Sequence, residues 1–272
     1  IIELNTVRKH LSEIKGGGLA KIAYPATVIS LIVSDVIDNG LSTVASGPTV
    51  YDKTSKKDAE KILKKYLRES AYLSALIRDL KETPKNKKYF KKAKNVLFLS
   101  NREPILAMTE KAKKLGFKPK IYSLKLNGEA KNALLPLIKT IKNNEAILAA
   151  GETTVTTNNE LRIKNYRVGK GGRNMEVVLS AIVNSINSKF CILNSGLIMS
   201  FASDGRDNTE AAGAIADYST IEKIEKLKLD PQKFLNNHDS FNFFQKTGDL
   251  IFTEPKTFNV SDLILVLSLP KE

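Results

Sequence analysis

The sequence predicts an α/β protein built as two α/β domains with mostly parallel sheets, divided near residue 93. Three observations carry this. A short apolar run over residues 26–33 ends in the polar pair Ser34-Asp35, as a buried, parallel-type strand does. A lysine-dense stretch over residues 81–94, carrying Pro84, has no apolar periodicity and reads as a connection. Beyond it, apolar runs of strand length alternate with helix-period segments, which is the βαβ pattern of a parallel sheet.

The elements follow in order. Residues 20–23 read as a helix after the glycine turn Lys15-Gly16-Gly17-Gly18, and residues 58–67 place Ala59, Ile62, Leu63, Tyr66 and Leu67 on one helical face. Residues 96–99 predict a strand, and residues 103–115 a helix closed by Gly116 at the C′ position. Strands are expected over 120–124 and 146–150, with a helix over 129–141 between them. A hairpin is expected around Asn158-Asn159, joining 153–157 to 161–163. Helices are expected over 173–186, 220–227 and 241–246, and strands over 190–199 and 263–269. There is no internal repeat and no low-complexity segment.

Composition narrows the function. The 272 residues include one cysteine and two histidines, which excludes an intrachain disulfide and a histidine-rich metal site. A reducing, cytoplasmic compartment is the expectation. No apolar run approaches the roughly 20 residues that cross a bilayer, so no membrane partner is expected. The start, Ile1-Ile2-Glu3-Leu4-Asn5, lacks a methionine and a signal pattern, and reads as the interior of a longer chain. The net charge of +14 fits a phosphate-rich partner or a solvated lysine surface. Few aromatics interleave the lysines and no nucleic-acid motif appears, so no nucleic acid is expected as partner.

Ligands of open α/β sheets collect beyond the carboxyl ends of strands. Polar clusters there are Ser34-Asp35, Gly151-Glu152-Thr153-Thr154, the run Ser203-Asp204-Gly205-Arg206-Asp207, and Thr253-Glu254. Gly169-Lys170-Gly171-Gly172-Arg173-Asn174 is more specific. Glycines and two cations coincide at a helix start, where free N–H groups and the macrodipole favour an anion and a guanidinium fits phosphate or carboxylate. Its plain alternative is a turn whose glycines serve the backbone alone. The Lys15-Gly16-Gly17 turn is similar in kind. Asp35, Asp204 and Asp207 could hold Mg²⁺ together with phosphate oxygens, or could be turn formers. Cys191 reads as a buried thiol, His10 as a base or a cap, and His238 as a loop residue. There is no GxxxxGK[ST] loop, no GxGxxG after a strand, no GxSxG and no HExxH.

Several of these segments together resemble the class II glycerate kinases, the MOFRL family. The run LNTVRKHLSEIKGGGLA from Leu4 to Ala20, Ala45-Ser46-Gly47-Pro48-Thr49-Val50 with Asp52, and Gly151-Glu152-Thr153-Thr154-Val155 carry the resemblance. So do Gly169 to Glu176, Ser203 to Asp207 with Ala211 to Ala214, and the positions Asn237, Asp239, Ser240, Gly248, Asp249 and Asp262. Departures are Gly18 where the family has Arg, Met175 where it has Gln, Asn208 for Gly, and residues 254–258. The family's front portion, with a catalytic lysine and an SGGGSAL-type loop, has no counterpart in these residues.

The resemblance implies residues 1–93 as the end of a Rossmann-like first domain and 94–272 as a MOFRL-type second domain. It implies ATP-dependent phosphorylation of D-glycerate at the 2-hydroxyl in an interdomain cleft, with ATP and Mg²⁺ as cofactors. A homodimer is left open. Arg173, Lys15 and Asp204 are then the expected catalytic residues, and Arg173→Ala should lower turnover with little loss of fold. Gly16, Gly17, Ser34, Asp35, Gly151, Glu152, Thr153, Gly171, Gly172, Asn174 and Asp207 would contact substrate or phosphate. A hydroxypyruvate reductase, a kinase for another hydroxy acid and a basic nucleic-acid-binding protein are the alternatives.

Overall fold

The structure, a computed structural model, describes residues 1–34, 40–68, 70–157, 169–186, 192–254 and 258–270. The chain divides into two compact units, Ile1–Leu99 and Ser100–Glu272.

In the first unit, strands β1 (Val28–Val33) and β2 (Ala93–Leu99) pair in parallel. Among the described residues four α-helices accompany them: Ile2–His10, Gly18–Ala23, Lys56–Tyr66 and Leu73–Asp79. The Lys56–Tyr66 helix starts two residues before the expected residue 58 because Ser55 and Asp58 close a capping box. It turns Ala59 and Leu63 onto Val7 and Leu80, which form the unit's small core. The parallel pairing of β1 follows the sequence expectation, but its full burial does not. Its burial alternates, and Ile29 and Leu31 are about two-thirds exposed (63% and 64%) because this sheet has two strands among the described residues. The pairing also assigns β2 to the first unit, past the sequence division near residue 93.

Among the described residues the second unit holds a six-stranded sheet of β3 (Lys118–Leu126), β4 (Glu145–Gly151), β5 (Gly196–Ala202), β6 (Gly213–Ala216), β7 (Leu250–Ile251) and β8 (Asp262–Ser268). The order is β3-β4-β8-β5-β6-β7. Side chains of β4 alternate between two cores, which is why it reads as a continuous apolar run. Ile147 and Ala149 face the cluster around the Arg173–Ile186 helix, with Met175, Leu179, Ile182, Phe243 and Phe244. Leu148 and Ala150 face Ile105 of the Arg102–Lys114 helix and Leu263. The α/β class therefore holds, with helices on both sides of a sheet.

The sheet departs from the expected parallel arrangement at four of its pairings. Only β3 and β4 run parallel; β4/β8, β8/β5, β5/β6 and β6/β7 are antiparallel. Parallel neighbours need a long crossover, whereas the link from β5 to β6 is the compact turn of residues 203–212, which returns the chain on itself. The helix expected over 129–141 is broken into a 3₁₀ turn, Ala130–Asn132, and a helix, Leu135–Thr140. Pro136 lacks an N–H and so sits in the first turn of a new helix instead of inside a long one. The strand expected from residue 190 begins at Gly196, after a 3₁₀ turn at Ile192–Asn194. The hairpin at Asn158-Asn159 and the burial of Cys191 lie outside the described residues; Thr154 forms a parallel bridge to Glu129. No helix among the described residues is long and apolar enough to cross a membrane.

Candidate active site

Register brings three strand ends together in the second unit. Asp262, the first residue of β8, lies opposite Gly151 at the end of β4 on one side and Ala202 at the end of β5 on the other. The segments leaving those strands carry Glu152 and Ser203-Asp204, so polar residues collect at one end of the sheet. Gly151 is required there: a Cβ on it would lie 2.1 Å from the Leu126 carbonyl oxygen.

Arg173, the first residue of its helix, reaches this corner. Its Nε donates to Asp262 Oδ2 at 2.6 Å, its Nη2 to Asp262 Oδ1 at 3.2 Å, and its Nη1 to Glu152 Oε1 at 2.8 Å. Burial works against the guanidinium's charge, but Asp262 and Glu152 outweigh it and hold its pKa above the ordinary value. Among the described residues three of its five donor hydrogens are used, which leaves one on each terminal nitrogen for an incoming oxyanion. Glu152 is thus an ion-pair partner of the cation, and as a carboxylate it can only accept hydrogen bonds.

The glycine-rich turn packs closely against its neighbours. The helix N-terminus already holds an anion, the carboxylate of Asp207, which accepts from Met175 N at 2.9 Å and Asn174 Nδ2 at 3.3 Å. Asn174 accepts in turn from Ser200 Oγ at 2.5 Å. Burial pushes the Asp207 carboxyl up to about 6, opposed by the N–H groups of Met175 and Asn174 and assisted by the charge of Asp262. The glycines allow this packing. A Cβ at Gly172 would meet the Asp207 carbonyl oxygen at 2.1 Å, one at Gly171 the Ser240 hydroxyl at 2.3 Å, and one at Gly169 the Asp239 Cβ at 2.3 Å. Lys170 spans the ring of Phe241 and pairs with Glu210 at 2.7 Å. The N–H groups of Gly171, Gly172 and Arg173 have no acceptor among the described residues.

Asp204 and Asp207 are therefore not equivalent. Both oxygens of Asp207 are engaged at the helix start. One oxygen of Asp204 accepts from Arg206 N at 3.1 Å, in a turn, and its side chain is half-buried. Among the described residues no three His, Cys, Asp or Glu side chains are grouped to hold a metal. Thr153 is buried beyond the end of β4.

The remaining expected residues belong to the first unit. Gly16 and Gly17 donate their N–H groups to the carbonyls of Ser46 and Gly47, both at 2.9 Å, so neither is free to cradle phosphate. Both have positive φ, and a Cβ on Gly17 would lie 2.6 Å from the Phe90 ring. Lys15 Nζ donates to the Ala45 carbonyl at 3.1 Å. Ser34 is buried, and Asp35 lies outside the described residues. His10 is buried with Nδ1 on the Thr6 carbonyl and Nε2 3.4 Å from Glu82, a structural role. His238 sits 3.0 Å from Glu176, whose carboxyl burial raises and the His238 contact lowers, with a net rise. Asp262 and Asp239, cited in the sequence for resemblance alone, hold Arg173 and the N–H of Lys170. Their signal was an aspartate at a strand or helix start, a pattern shared with ordinary caps.

Residues 145–262 match the MOFRL family, and residues 1–80 match a domain of unknown function, DUF4147. The chain is 37% identical to a glycerate 2-kinase of Pyrococcus horikoshii, with all of this chain and 62% of that protein covered. A crystal structure of a glycerate kinase from Thermotoga maritima superposes with a TM-score of 0.83 at 34% identity, over 98% of this chain and 63% of that one. A protein of Agrobacterium vitis named as a putative hydroxypyruvate reductase is 32% identical, with 98% of this chain and 69% of that protein covered. The chain thus spans a little over three-fifths of the length of the two kinases. With both domains matched in order and Arg173, Asp207 and Asp262 interlocked within the second, the chain belongs to the MOFRL family of class II glycerate kinases.

Proposed function

We propose that the protein transfers the γ-phosphoryl group of ATP to the 2-hydroxyl of D-glycerate, giving 2-phosphoglycerate and ADP. The observation that carries the reading is Arg173: a guanidinium held by two carboxylates at the strand ends, with two donor hydrogens left, in a chain of this family. Phosphoryl transfer asks for positioned charge more than for covalent chemistry. Arg173, with the open N–H groups of Gly171 and Gly172 beside it, would hold a phosphoryl or carboxylate oxyanion. Asp204 has one oxygen engaged by Arg206 N. It is the carboxylate best suited to orient the attacking hydroxyl or hold Mg²⁺. Mg²⁺ brought with ATP would neutralise phosphate oxygens. Lys15 is proposed as a phosphate-binding cation of the first unit.

The reductase named among the relatives would need a nicotinamide site, and the sequence has no GxGxxG after a strand. The test uses the full-length gene product with D-glycerate and Mg·ATP, coupled to enolase without phosphoglycerate mutase. Enolase takes only the 2-phospho product, so a signal supports both reaction and position. ADP release without that signal would move the phosphate to the other hydroxyl, and no glycerate-dependent ADP release would refute the reading.

A further inference from the structure

We propose that Asp262 is the positioning residue of Arg173, fixing which edge of the guanidinium is offered to the substrate oxyanion; this rests on the kinase reading above. Asp262 is built to be immobile. It opens β8, a central strand, and is flanked in register by Gly151 and Ala202, with 3% of its surface exposed. Its two oxygens engage Nε and Nη2 of Arg173 as a planar fork on a planar fork. One hydrogen bond would let the guanidinium swing; two parallel ones fix its plane as well as its position.

The contrast with Glu152 shows what this fork is for. Glu152 touches only Nη1, and its side chain is 49% exposed, so water or a ligand can displace it. With Asp262 in place, Arg173 keeps an inner edge bound to protein and presents the remaining hydrogens of Nη1 and Nη2 outward. Without it, the best remaining partner of the guanidinium is Glu152, and that pairing turns the cation away from the substrate. Asp262 touches no substrate in this scheme and acts through Arg173 alone.

The test compares full-length wild type with Asp262→Asn, Arg173→Lys and the double variant. Asparagine keeps the shape but offers one acceptor and turns an amide N–H towards the guanidinium. The expected loss in kcat/KM for D-glycerate is about 10–100-fold, as for partners that orient a functional group without touching the ligand. In the Arg173→Lys background, Asp262→Asn should cost no more than about twofold, because a residue acting through another is non-additive with it. Full additivity would overturn the proposal. A second readout needs no substrate. The ¹⁵Nε–H resonance missing from Arg173→Lys identifies Arg173, and its solvent exchange should accelerate at least about tenfold in Asp262→Asn, as a charge-assisted bond is lost. Unchanged exchange overturns the proposal. If wild type releases no ADP with D-glycerate, the kinase reading fails by itself and the exchange measurement decides the role of Asp262. Should Asp262→Asn not fold, Asp262→Glu keeps the charge and displaces the fork by one methylene; wild-type kcat/KM in that variant would overturn the proposal.

Discussion

Replacing Asp207 by Asn should change how stability depends on pH. The carboxyl is 3% exposed and burial raises its pKa from 3.8 to about 6. Below about pH 4 it is protonated in both folded and unfolded chains and contributes nothing to the difference. Between about pH 4 and pH 6 the unfolded chain releases the proton first, so the fold loses stability as pH rises. Above about pH 6 both states are charged and the penalty is constant. A shift of about two units corresponds to ~3 kcal/mol. Asparagine keeps an acceptor for Met175 N–H and has no charge to titrate, so every other group cancels when the two proteins are compared. The stability of Asp207→Asn relative to wild type should therefore improve by ~3 kcal/mol between pH 4 and pH 7. In a unit of this size that is a relative shift of roughly 6–12 °C in Tm. Calorimetric scans of the full-length pair at both pH values measure it. A difference in Tm that does not vary with pH would refute the burial argument.

Three further outcomes follow from the same contacts. Arg173→Ala should lower kcat by about 10²–10³-fold in the enolase-coupled assay. It should also destabilise the protein by ~3–5 kcal/mol in thermal scans, because buried Asp262 loses its cation; this replaces the expectation of an intact fold. Asp52 accepts from Lys9, Thr54 and Thr83. Burial works to raise its carboxyl, but the bonds from Thr54 and Lys9 win and hold it below the ordinary value, so its contribution exists above the unfolded pKa and is lost as pH falls. Asp52→Asn should accordingly lower the urea midpoint at pH 7 and have a smaller effect near pH 3. Gly172→Ala, whose Cβ would sit 2.1 Å from the Asp207 carbonyl oxygen, should cost ~1–3 kcal/mol in the same unfolding assay.

Much of the second unit was legible in sequence because its signals are local. Helical period, a capping residue or a run buried on both faces fixed the Arg173–Ile186 helix, the Arg102–Lys114 helix and β4. The antiparallel pairings were not legible, since a strand buried on both faces looks alike whichever way its neighbour runs. The arrival of β8 between β4 and β5 depends on the end of the chain folding back over a long separation. In the site, Arg173 was visible as a cation at a helix start. Asp262 was not, because its meaning lies in the partner 89 residues away. The glycines were visible but their reason was not: close approach to a ligand predicts the same residue as close approach to Asp207, Ser240 and Asp239.

The proton on Asp207 bears on substrate binding as well as on stability. Arg173 stands among Asp262, Glu152 and Asp207, and the charge of each stabilises the guanidinium. The same charges repel an anionic substrate, and inside a low-dielectric corner that repulsion is felt more strongly than in water. Asp262 fixes the cation and Glu152 is exposed enough to be screened, whereas Asp207 is buried and close to neutral pH in its titration. As pH falls through about 6, Asp207 takes up a proton, one negative charge leaves the surroundings of Arg173, and KM for the hydroxy acid should fall. In Asp207→Asn this step has no group to carry it, so KM should stay flat between pH 7 and pH 5.5, at or below the wild-type value at pH 7. Parallel KM-against-pH profiles of the two proteins decide the matter: a wild-type KM that rises on acidification, or the same slope in both, would mean that Asp207 acts on the helix start alone.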